Sequence, residues 1–246
     1  MSLLTRIHSK FRRAVLGARM VNYPSNLTAR GISRGAWERV QQDHELNYWV
    51  HEFPSQVPAG KTPAQYHAER AWVINRRMFK SLDGAHPFDK EIVLDVGCGP
   101  YGSVDFAGAK VVIGVDPLAP AYQKHCEIAP GMVILSADAE ALPLLDDVFD
   151  VVISINALDH FHHPYEALEE MYRVCRPGGR FLLATDIEGT PRHPVKIRRE
   201  HLDEFFSQHP FQVVEQDAGL HLENDWPSEM EIPLYVFHGL KQGAGR

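Results

Sequence analysis

Short apolar runs that end in an acid or a polar turn recur through the middle of this chain. Val93-Leu94-Asp95-Val96 leads into Gly97-Cys98-Gly99-Pro100, and Val111-Val112-Ile113-Gly114-Val115 leads into Asp116. Met132 to Leu135 and Phe149 to Ser154 repeat the pattern, and Phe181-Leu182-Leu183 follows a Pro177-Gly178-Gly179 stop. Runs this short and this rich in β-branched residues predict strands buried on both faces, near 91–96, 110–115, 132–135, 149–154 and 180–185, with helices between. Downstream, Glu200 to Ser207 reads as a helix, Phe211 to Glu215 as a sixth strand and Ile232 to His238 as a seventh. Upstream the pattern turns helical. One helix is expected from Gly35 to His51, broken by the stretch from Pro54 to Pro63. A second opens at Thr62-Pro63 by a cap and a first-turn proline and runs to about Leu82, where Asp83-Gly84 ends it. The expected division is a helical extension over 1–85 and an α/β domain with a doubly wound, mostly parallel sheet over 86–246.

The glycine turn directly after the first strand is where a ligand could approach the backbone closely. The acid that closes the second strand would reach the vicinal hydroxyls of a ribose held there. Gly97-Cys98-Gly99-Pro100-Tyr101-Gly102 also satisfies the G-x-G-x-x-G dinucleotide pattern, with Asp116 near the expected ~20-residue distance. Two residues argue against a dinucleotide. Asp95, just before the turn, would oppose a pyrophosphate, and Pro100 has no N–H to offer one.

The whole ordered series, with Ser136-Ala137-Asp138-Ala139-Glu140 after the third strand and Asn156 ending the fourth, closely resembles the class I S-adenosylmethionine (SAM) dependent methyltransferases over about residues 90 to 186. It is similar to their small-molecule branch, with a general likeness to sugar O-methyltransferases. One departure stands out: Tyr101 occupies the place of the third family glycine, and Gly102 follows it. The resemblance implies a seven-stranded sheet whose last strand inserts antiparallel. It also implies a SAM site in which Asp95, Gly97, Cys98 and Gly99 form the first loop and Asp116 holds the ribose. Pro117 would border the adenine, Asp138 accept from its amino group and Ala139 face a ring nitrogen, while Asn156 offers a carbonyl to the ammonium.

Methyl transfer to a neutral hydroxyl needs a base at the mouth of the site. The turn Asp159-His160-Phe161-His162-His163-Pro164 supplies His160, matching the second histidine of a pair found there in many small-molecule methyltransferases. Asp159 stands where the first is usual and could hold the imidazole tautomer. Asp186, ending the fifth strand, is a candidate to orient the acceptor. The same side chains could be read as magnesium ligands, but histidine suits magnesium poorly, and no metal is favoured.

Composition narrows the partners. A formal charge of −7 over 246 residues argues against nucleic acid. Cys98, Cys126 and Cys175 are too few and scattered for a disulfide framework, and no stretch approaches the ~18 apolar residues of a membrane span, so a cytoplasmic setting is expected. Residues 1 to 20 carry five basic residues and no acid, with Leu3, Leu4, Ile7, Phe11, Val15 and Leu16 at helical spacing. That helix could dock on the domain, pair two copies or rest on an anionic membrane. Trp226 among Glu223, Asp225 and Glu229, and the basic loop from Ile187 to Arg199, are expected acceptor contacts; an aromatic flanked by carboxylates suits a sugar ring. The expectation is therefore a SAM-dependent O-methyltransferase of a small polar acceptor, a sugar first. C- or N-methylation of a quinone-like or amine metabolite, and a SAM-binding protein without catalysis, remain as alternatives.

Overall fold

A computed structural model describes residues 42–82, 84, 86–187, 195–220 and 233–243. The basic segment 1–20, Trp37, residues 188–194 of the basic loop, and Trp226 with its flanking acids lie outside the described residues. The seven strands are β1 (Ile92–Val96), β2 (Val111–Val115), β3 (Met132–Leu135), β4 (Phe149–Ile155), β5 (Cys175–Asp186), β6 (Phe211–Leu220) and β7 (Leu234–Lys241). They form one sheet in the order β3-β2-β1-β4-β5-β7-β6. All neighbours are parallel except β7, which runs antiparallel to β5 and to β6. The α/β, Rossmann-like reading of the sequence holds.

Each central strand buries both faces because its side chains alternate. Leu94, Val152 and Phe181 point to one side and pack with Leu168, Met171 and Phe205 of α3 (Pro164–Val174) and α4 (Arg199–Gln208). Val93, Val151 and Leu182 point to the other, against Met78 and Phe79 at the end of α1 (Pro63–Met78) and Phe88 in the turn before β1. Helix α1 starts as expected. The Thr62 side chain accepts from the Gln65 N–H, and the Gln65 side chain accepts from the Thr62 N–H.

Five local expectations are corrected. No helix joins β1 to β2. Gly97, Gly99 and Gly102 all hold positive φ (74°, 56° and 75°) within six residues, which no helix can accommodate. The Ser103 N–H and hydroxyl both donate to Asp95, folding the chain back at 2.6 and 2.7 Å. The first helical segment runs four residues past its expected end at His51: residues 42–47 continue through a π-helical turn at Tyr48–Glu52 into Phe53–Ser55, and the Pro54 to Pro63 stretch then ends it. Helix α1 stops at Met78, before Leu82. Strand β5 begins at Cys175, because a register shift between Phe149 and Val151 absorbs the Pro-Gly-Gly stretch, and β6 runs on to Leu220. A short helix α2 (Ala119–His125) follows β2. Among the described residues no helix is long and apolar enough to cross a membrane.

Candidate active site

A cleft of about 340 Å³ opens beyond the carboxyl ends of β1, β2 and β4. Strand order reverses between β1 and β4, which is where open α/β sheets bind ligands. One wall comes from the sheet loops, the other from residues 42–53 and α1.

On the sheet wall the glycine loop is held tightly. The Gly97 N–H donates to the Val115 carbonyl at 2.8 Å, and the Gly99 N–H donates to Asp116 Oδ2 at 3.1 Å. A methyl group added at Gly97 would lie 2.3 Å from the Ala157 Cβ, so the loop presses against the turn after β4. A methyl group at Gly99 would meet the Trp49 ring at 3.3 Å. Asp116 is buried at the end of β2, and its other oxygen accepts from the Leu118 N–H at 2.9 Å. Each carboxylate oxygen keeps a lone pair for a further donor. Burial pushes the Asp116 carboxyl up to about 6, its two N–H partners pulling the other way. Burial also raises the Cys98 thiol well above its ordinary range, so this cysteine serves as packing. Pro117, Asp138 and Ala139 line the same wall.

Asn156 adopts φ 52°, and its N–H donates to the Ala184 carbonyl. Its Oδ1 is buried and meets no hydrogen-bond donor among the described residues. A buried acceptor with no donor is costly, and an ammonium group in the cleft would relieve it.

Nine of the twelve residues expected at the site line the cleft: Gly97, Cys98, Gly99, Asp116, Pro117, Asp138, Ala139, Asn156 and His160. Asp95, Asp159 and Asp186 do not. Asp95 is buried beneath the loop, where burial lifts its carboxyl to about 6. Asp186 is buried at the end of β5. Asp159 and His160 share a 3₁₀ turn, Leu158–His160, in which successive side chains diverge by about 120°. Asp159 is fully buried there, while His160 reaches the cleft.

The carboxylate beside His160 belongs to Glu45. Its Oε1 lies 3.5 Å from His160 Nδ1, and both side chains are largely shielded from solvent. Trp49, one helical turn after Glu45, packs edge-on against Tyr48, His67 and Tyr101 at 4.9, 5.5 and 5.6 Å between ring centres. Burial and the nearby Arg70 lower the His67 imidazole to about 4, leaving it neutral at pH 7. Glu45, His67, Arg70 and Phe161 are cleft residues that sequence reasoning missed. For Glu45 a trace was present: it stands four residues before Trp49, on the same helical face. Among the described residues, no three His, Cys, Asp or Glu side chains converge as metal ligands.

Comparison with known proteins places this geometry. Residues 94–183 match the family described as methyltransferase domain. A tRNA U34 carboxymethyltransferase of Hahella chejuensis is 32% identical over 127 residues, covering 48% of this chain and 39% of the relative. An uncharacterized methyltransferase of Mycobacteroides abscessus is 42% identical over 99 residues, covering 37% of this chain and 38% of the relative. The chain thus spans about two-fifths of the length of these curated relatives. Among solved structures, the 1,6-didemethyltoxoflavin-N1-methyltransferase of Burkholderia thailandensis, bound to 1,6-didemethyltoxoflavin and S-adenosylhomocysteine, shares the fold at TM-score 0.56 and 16% identity, covering 87% of this chain and 93% of that one. The stretch that matches the methyltransferase domain family, residues 94–183, holds every expected cofactor residue that lines the sheet wall of the cleft.

Proposed function

We propose that this chain is a SAM-dependent O-methyltransferase acting on a hydroxyl of a small polar acceptor, a sugar or oligosaccharide first, with His160 as general base. The observation that carries the reading is His160 at the cleft, on the turn that packs against the glycine loop and beside the Glu45 carboxylate.

The cleft residues fit the cofactor. Asp116 keeps acceptor capacity for two ribose hydroxyls, and Asn156 Oδ1 supplies the acceptor that an ammonium needs. Gly97 and Gly99 leave the room that a Cβ would fill. When bound, SAM supplies a methyl group on a positively charged sulfur. The chain's own work is positioning, because donor and acceptor must lie in line at near-attack distance. With its Nδ1 proton turned to Glu45, the His160 ring keeps its lone pair on Nε2, where it takes the acceptor proton as the new bond forms. The N-terminal helical extension is the acceptor-side cap in this reading, since Glu45, Tyr48, Trp49 and Phe53 line the cleft.

The aromatic lining favours a second reading as well. Tyr48, Trp49 and Phe161 would also stack on a flat quinone-like or aromatic amine acceptor, methylated at carbon or nitrogen with less need of His160. An RNA acceptor, as named for the tRNA carboxymethyltransferases, fits poorly with a net charge of −7.

The test is turnover of SAM to S-adenosylhomocysteine against sugars, phenols, quinones and amines, with and without EDTA and added magnesium. A His160→Ala variant should keep its affinity for S-adenosylhomocysteine and lose about 10²–10⁴-fold in turnover on hydroxyl acceptors. Unchanged turnover removes His160 from the chemistry. Turnover confined to quinones or amines replaces the hydroxyl reading with the second one. Loss with EDTA and rescue by magnesium would assign activation of the hydroxyl to a metal.

A further inference from the structure

The described wall of the cleft is strongly acidic. Glu45, Asp116, Asp138 and Glu140 all line it, and Arg70 is the only lysine or arginine among the described residues that does. The acids have partners elsewhere. Glu45 faces His160, Asp116 accepts from two backbone N–H groups, and Glu140 accepts from the His163 N–H at 2.8 Å. Arg70 has no acidic partner among the described residues. Its guanidinium carbon stands 5.5 Å from the centre of the Tyr66 ring, one turn back on α1. An aromatic face steadies a guanidinium without using its N–H donors, which stay available for a planar anion. His67 cannot supply positive charge there, because burial keeps it neutral.

This arrangement sorts ligands by charge. Four carboxylates suit a cationic sulfonium or ammonium, but would repel a ligand carboxylate unless a cation met it. We propose that Arg70 is the carboxylate receptor of the cleft, pairing through its guanidinium fork with a carboxylate carried by a bound ligand. Two ligands could bring that group: the methionine portion of the cofactor, or an acceptor that is a carboxylic acid. The inference rests on the methyl-transfer reading only in that ligands bind in this cleft.

The experiment measures binding in wild-type protein, Arg70→Gln and Arg70→Lys by calorimetry. S-adenosylhomocysteine carries the amino-acid carboxylate, and 5′-methylthioadenosine lacks it. For the acceptor, 4-hydroxybenzoate is compared with 4-hydroxybenzamide, and glucuronate with glucose, in protein saturated with S-adenosylhomocysteine. Arg70→Gln should weaken a carboxylate ligand about 10- to 100-fold and leave its neutral counterpart unchanged, with Arg70→Lys recovering part of the loss. A loss on S-adenosylhomocysteine alone assigns the carboxylate to the cofactor. A loss on hydroxybenzoate or glucuronate assigns it to the acceptor. Equal binding of every ligand by wild-type and Arg70→Gln protein overturns the proposal. Wild-type protein that binds neither adenosine compound would overturn the methyl-transfer reading, and the two acid–neutral pairs, then titrated alone, would still decide for or against Arg70.

Discussion

Replacing Gly97 by alanine tests how tightly the cofactor loop is built. Two costs add. The residue holds φ 74°, and placing a Cβ in the left-handed region costs about 1–2 kcal/mol. The new methyl would also sit 2.3 Å from the Ala157 Cβ, where two carbons rest comfortably at about 3.5–4.0 Å. Ala157 has no flexible side chain to swing away, so backbone must move, and overpacking of that kind costs about 1–3 kcal/mol. The sum is roughly 2–5 kcal/mol, or about 4–20 °C in Tm for a chain of this size. Gly131→Ala is the internal control: φ is 80°, but nothing lies within 4 Å of an added Cβ. It should show the backbone cost alone. Thermal melts of both variants, followed by titration with S-adenosylhomocysteine, separate the terms. Gly97→Ala should melt lower and bind more weakly, because any shift of the loop moves the Gly99 N–H from Asp116. If the two variants melt together, the close approach to Ala157 is not what demands glycine.

Two further outcomes concern buried charge. Burial holds the Asp95 carboxyl near 6, above its ordinary ~3.9, so the unfolded chain releases its proton first as pH rises. The stability Asp95 contributes is therefore complete below about pH 4 and is lost as pH rises through about 6. In urea melts, the stability of wild-type protein relative to Asp95→Asn should fall by roughly 2 kcal/mol between pH 4 and 7; a difference that stays flat with pH would refute this. Lys241, buried at the end of β7, donates to Asp147 and to the Tyr172 and Cys175 carbonyls at 2.7, 2.9 and 2.6 Å. Lys241→Met leaves those two carbonyls without that donor and should cost roughly 2–5 kcal/mol, seen as a lower Tm; an unchanged Tm would show the lysine to be dispensable.

Much of this was legible because parallel strands buried on both faces read as bare apolar runs, and their terminal acids fall at the sheet edge where ligands bind. Asp116, Asp138 and Asn156 each close such a run or follow it within three residues, so position along the chain was nearly position in the cleft. The missing link between β1 and β2 was harder. Its glycines mark a turn, but the double donation of Ser103 to Asp95 is a tertiary event. Glu45 was missed for a similar reason: 115 residues separate it from His160, and a helical pattern shows which residues share a face but not what that face covers. Asp159 was preferred as the imidazole's partner because adjacency in sequence is visible, whereas divergence of side chains around a 3₁₀ turn is not.

The cleft's two walls come from different stretches of the chain. The family match begins at Leu94 and ends at Leu183, while Glu45, Trp49, His67 and Arg70 precede it. Likeness to known methyltransferases thus speaks for the sheet wall of the pocket, and the helical wall is written in residues that the match leaves out. A graft that exchanges residues 42–78 and keeps the sheet therefore tests the proposed acceptor role of the helical wall, which predicts a changed range of acceptors turned over.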